Sequence, residues 1–117
     1  MSTHPNAILF LSLTPNGLSR KTMRDILEEN QVKDGDQIKI GGVDYHPVIM
    51  ESDYDEGFQL ASKEGDLVFL DMITYGYGDV IAWSKLEEQK KSLDEWAIAA
   101  CAKHNCSYQI SITANYW

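Results

Sequence analysis

Residues Ala7 to Leu13 read Ala-Ile-Leu-Phe-Leu-Ser-Leu, with apolar side chains at six of seven consecutive positions. Successive side chains of a strand point to opposite faces. A run this apolar therefore presents hydrophobic groups on both faces, the pattern of a strand buried on both sides. It is far too short to cross a bilayer as a helix. Thr14-Pro-Asn-Gly17 closes it with turn chemistry.

The rest of the chain supplies layers to pack on such a strand. Leu18, Ser19 and Met23 fit a helix start with Ser19 as N-cap and a hydrophobic staple between Leu18 and Met23. Met23, Ile26 and Leu27 recur at helical spacing, and Asn30 is expected to end the helix in the left-handed cap conformation. Gly41-Gly42 between Gln37–Ile40 and Val43–Tyr45 is a two-residue hairpin signal. The second arm should continue to Met50, with Pro47 marking an edge or a bulge because it has no N–H to donate. Residues 51–65 read as a loop with one helical turn. Leu67–Ile73 and Val80–Trp83 are expected to form a second hairpin around Tyr75-Gly-Tyr-Gly-Asp79.

Two capping boxes, Ser84-Lys-Leu-Glu87 and Ser92-Leu-Asp-Glu95, mark a helix that starts near Lys85 or at Leu93. The early start is favoured because Leu86, Leu93, Trp96, Ala97, Ala100 and Cys101 then share one stripe, with Glu87 and Lys91 as an ion pair four residues apart. Tyr108–Ile112 alternates as a closing strand. The order β-α-β-β-β-β-α-β predicts one α+β domain over residues 1–117, a two-layer sandwich with two helices on one face of a mostly antiparallel sheet of five to six strands.

Charge narrows the function classes. Ten Lys and Arg face eighteen Asp and Glu, a net charge of −8. Nucleic-acid binders neutralise phosphates with cations, and anionic membranes attract basic surfaces, so neither partner is expected. The N-terminal Met-Ser-Thr-His-Pro-Asn has no basic stretch of the kind that opens a signal peptide. Two cysteines are too few for a disulfide-stapled secreted domain. A cytoplasmic protein with reduced thiols is expected.

Each motif with chemical potential lacks a necessary part. Cys101, His104 and Cys106 resemble half a zinc knuckle, but a structural site needs four ligands, and Cys101 falls on the apolar helix stripe. Their spacing permits a disulfide, which a reducing compartment disfavours. Glu51-Ser-Asp-Tyr-Asp-Glu-Gly57 resembles a calcium loop, but its Gly and its twelfth-position acid never fall in register together. The glycines at 76 and 78 lack the helix start and cation of a phosphate cradle. His104 suits a helix C-terminus. No metal or cofactor is expected.

These readings point to an acidic, non-catalytic binding protein. The closest functional analogy is an immunity or antitoxin-type inhibitor that neutralises a basic bacterial toxin by direct contact. Exposed aromatics beside acids suit binding hot spots. The expected contact set is Asp53, Tyr54, Asp55, Glu56, Tyr75, Tyr77 and Asp79. Two alternatives are a small enzyme or ligand-binding domain using His46, His104 and Cys106, and a phage-encoded inhibitor of a host nucleic-acid enzyme. The terminal Tyr116 and Trp117 suit either core or surface.

Overall fold

The apolar run forms the middle of β1 (Pro5–Pro15), and every other sheet element is placed by it. The computed structural model describes residues 5–17, 20–33, 36–51, 60–71, 75–76 and 78–116. One edge of β1 pairs along its whole length with β6 (Cys106–Tyr116), from Pro5 opposite Tyr116 to Pro15 opposite Cys106. The other edge is shared by β4 (Leu67–Asp71), opposite Phe10–Leu13, and β5 (Tyr75–Gly76), opposite Asn6 and Ala7. β3 (Val43–Ile49) pairs with β4, and β2 (Ile38–Ile40) pairs with β3. All pairings are antiparallel. Two helices, α1 (Arg20–Glu29) and α2 (Trp83–Lys103), complete the expected α+β order.

Both helices pack on one face of the sheet. Leu9, Leu11 and Leu13 of β1 meet Met23, Ile26 and Leu27 of α1 and Leu93, Ala97 and Ala100 of α2, together with Tyr45, Leu67 and Phe69. The intervening side chain Phe10 turns to the opposite face, where it joins Val68 and Met50 in a smaller core. β1 is thus buried on both sides, as its composition predicts. Each large side chain so buried contributes about 1.5–3 kcal/mol by the area it removes from water.

Local chemistry explains the joints. Gly41 and Gly42 both take positive φ, +61° and +81°, the backbone of a two-residue turn whose twist matches its strands. Pro47 lies beyond Tyr45, the last β3 residue that β2 reaches. Its missing N–H therefore falls where β3 is itself an edge, as expected.

The end of α1 differs in one residue. Gln31, not Asn30, takes the left-handed conformation, at φ +57°. The Gln31 amide donates to Glu28 and the Val32 amide to Leu27, and Val32 and Leu27 are buried in the same cluster. This is the Schellman arrangement with its hydrophobic contact. Asn30 instead donates its side-chain amide to the Ile26 carbonyl at 2.7 Å. A non-glycine residue pays a steric cost at positive φ. Gln31→Gly is therefore expected to raise stability by about 0.5–1 kcal/mol in chemical denaturation. A loss of stability would contradict the cap assignment.

The second hairpin does not form as expected. β4 already pairs with β1 on one edge and β3 on the other, leaving no edge for a returning strand. Val80–Ala82 has no regular structure, and Trp83 is the first residue of α2. The early helix start is correct and falls two residues before Lys85. Ser84 does not cap it; the N-cap is Ala82, with no side-chain cap bond. Glu87 pairs with Trp83 rather than Lys91. The N-cap position expected at Ser19 lies outside the described residues.

Candidate functional site

α2 covers β6 unevenly. Its buried residues are Gln89, Leu93, Ala97 and Ala100, so its first turns offer little apolar surface to the sheet beneath them. The C-terminal half of β6 continues to alternate, and Ile112 reaches the helix-side face beside Leu9, its cross-strand partner. It remains 58% exposed there. The result is a groove of about 290 Å³ between the start of α2 and the sheet, floored by Leu9, Ile110 and Ile112 and walled by Trp83 and Leu86. This is the lower limit of the volume that small-molecule sites occupy.

Trp83 stands at the mouth of the groove, 72% exposed. Its indole N–H donates to Glu87 Oε1 at 2.6 Å, one helical turn on. The hydrogen bond orients the ring, which stays largely exposed. Val80, just before it, is 96% exposed. Deeper along α2, Asp94 accepts from both Lys90 Nζ at 2.8 Å and Tyr108 Oη at 3.0 Å, tying the helix to β6. The hydrogen bond to that carboxylate raises the pKa of both donors above their ordinary values. Lys90 stays protonated and Tyr108 stays a neutral phenol at physiological pH, so the link is intact there.

β6 adds a second feature. It runs eleven residues without a charged side chain or a proline. Among the described residues, no strand pairs with its outer edge. Edge strands are usually protected by charge, proline or brevity, and β6 has none of these.

Protein-family models, curated proteins and solved structures contain no match to this chain.

Of the expected contact set, Asp53, Tyr54, Asp55, Glu56 and Tyr77 lie outside the described residues. Tyr75 is placed by its backbone in β5, opposite Ala7. Asp79 is exposed, and its Oδ2 accepts from the Gly76 amide at 2.7 Å, closing the turn that leads into Val80 and Trp83. The alternative trio does not converge. His46 pairs with Leu70 on the face opposite the helices, whereas Cys106 packs against the helix-side core. His104 is the C-cap residue of α2, as expected, and its Nε2 meets Glu29 Oε2 at 2.9 Å, joining the C-terminal ends of the two helices. The Cys106 sulfur faces Cys101. Among the described residues, no three His, Cys, Asp or Glu side chains gather as metal ligands, and no helix is long and apolar enough to cross a membrane.

Sequence reasoning missed the groove because it assigned Trp83 to a strand. One signal was available. The apolar residues of α2 concentrate between Leu93 and Cys101, leaving Leu86 as the main aliphatic residue of the first turns. A helix so patterned does not cover a strand that keeps alternating through Ile112.

Proposed function

We propose that this chain is a non-catalytic protein-binding domain, and that it acts as an immunity or antitoxin-type inhibitor that occupies a basic bacterial toxin or effector in the cytoplasm. The observation that carries the binding reading is Trp83, exposed over an apolar groove with its indole already oriented by Glu87. Tryptophans in such positions dominate binding energy, because they bury large area at small entropic cost. The uncharged edge of β6 offers main-chain hydrogen bonds beside the groove. The basic character of the partner follows from the net charge of −8, which speeds encounter with a cationic surface and repels nucleic acid. The acidic and aromatic set Asp53, Tyr54, Asp55, Glu56, Tyr75, Tyr77 and Asp79 belongs to the same reading, since Asp79 leads along the chain into Val80 and Trp83.

Co-expression with the product of the neighbouring gene tests the proposal. The expected result is protection of the host cell and a direct complex that Trp83→Ala weakens by about 30-fold or more, as for a hot-spot residue. The melting temperature of the variant should stay near the parent value, because Trp83 is largely exposed at a helix end. A neighbour that neither harms the cell nor binds would refute the immunity reading. Equal affinity of Trp83→Ala for a bound partner would refute the groove as its docking site.

A further inference from the structure

We propose that Cys101 and Cys106 form a reversible disulfide that clasps the last turn of α2 to the first residue of β6. Their Sγ atoms are 3.0 Å apart, and both side chains are half-buried, within reach of a small oxidant. Closing this gap to a covalent S–S bond requires a movement of about 1 Å.

The short loop that joins the two cysteines is anchored next to Cys106. The Asn16 amide donates to the Asn105 carbonyl at 3.0 Å, and the Cys106 amide to the His104 carbonyl at 2.9 Å. Asn16 Nδ2 also donates to Asn105 Oδ1 at 2.8 Å. His104 is held by Glu29, which leaves the thiols facing each other rather than an imidazole. Two thiols alone fall short of the ligand number of a zinc site. Eighteen residues of helix separate Cys101 from Trp83, about 27 Å at the helical rise, so the clasp does not depend on the groove or on the proposed binding function.

The reaction balances with a low-molecular-weight disulfide as oxidant. The Cys106 thiolate attacks one sulfur of that disulfide, forming a mixed disulfide and releasing one small thiolate. Cys101 then loses its proton, and its sulfur attacks Cys106 Sγ, expelling the second small thiolate. Two protein thiols are oxidised to one disulfide, and the small disulfide is reduced to two thiols. The order follows from the surroundings. Burial, followed by the hydrogen bond to Cys106 and the charge of Cys106, pushes the Cys101 thiol up to about 12. In a reducing compartment such a bond is transient and acts as a sensor rather than a staple.

The full chain treated with oxidised glutathione at mildly alkaline pH tests the clasp. Intact mass should fall by two hydrogens, both cysteines should resist alkylation, and peptide mapping should link residues 101 and 106 within one chain. The melting temperature should rise by about 5–10 °C, given the short loop closed, and dithiothreitol should reverse all of these. Cys101→Ser should instead stop at a stable glutathione adduct on Cys106 without that rise. Thiols that stay alkylatable, a lasting adduct on the unsubstituted chain, or cross-linked dimers would overturn the proposal. So would an intramolecular bond that leaves the melting temperature unchanged. The decisive readouts come from the unsubstituted chain and so do not depend on a variant folding.

Discussion

Phe69→Ala is expected to lower the unfolding free energy by about 3–5 kcal/mol, the cost of emptying an aromatic site in a packed core. Phe69 is fully buried in β4, with β1 and β3 on either side. Its ring meets Trp96 of α2 edge-on, with centroids 4.6 Å apart and planes at 64°. The side chain therefore belongs to the interface between helix layer and sheet, and the neighbours cannot collapse into its space without moving a paired strand. A domain stability of about 5–15 kcal/mol makes this loss a third or more of the total in many cases. Phe69→Leu keeps most of the volume and should cost about 1.5 kcal/mol or less beyond the lost ring contact. Leu60, 89% exposed, is the internal control, and Leu60→Ala should stay within about 0.5 kcal/mol. Denaturant midpoints at constant slope measure all three. A Phe69→Ala loss below about 1 kcal/mol would mean that α2 does not seat on β4 as described.

Gly41→Ala is the second large effect, with an expected loss of about 2–5 kcal/mol from two sources. Positive φ costs a non-glycine residue about 1–2 kcal/mol. A Cβ at Gly41 would also overlap the Ser92 side chain on α2, and overpacking adds about 1–3 kcal/mol. Gly42 separates the two. It shares the turn and has φ +81°, but a Cβ there meets nothing within 4 Å. Gly42→Ala should thus cost only the backbone part. Equal losses at the two positions would show that the hairpin tip does not press against α2.

The same contrast separates what was legible in the chain from what was not. Gly41-Gly42 announces its turn in two letters, but nothing near it announces Ser92. Met23, Ile26 and Leu27 state the buried face of α1, and the stripe from Leu86 to Cys101 identifies α2 and favours its early start. The site was less legible. Asp79 is placed at an exposed turn as expected, yet Trp83 and Ile112 were not singled out. Val80–Trp83 reads locally as a strand, but β4, its expected hairpin partner, has both edges occupied.

By itself, then, the sequence determined the α+β class, the two helices, the first hairpin, the double-sided burial of β1 and the acidic balance. These depend on periodicity, turn chemistry and ionisable groups, all of which act over a few residues or not through shape at all. Tertiary structure decided that β6 is an uncharged edge, that α2 leaves Ile112 open beneath Trp83, and that Cys101 meets Cys106 while His46 is on the other face of the sheet. All but the placing of His46 depend on the pairing of Pro5–Pro15 with Cys106–Tyr116, which brings together strands from near the two ends of the sequence. Such pairing is chosen by the burial of the whole sheet, and no short stretch of sequence contains both partners.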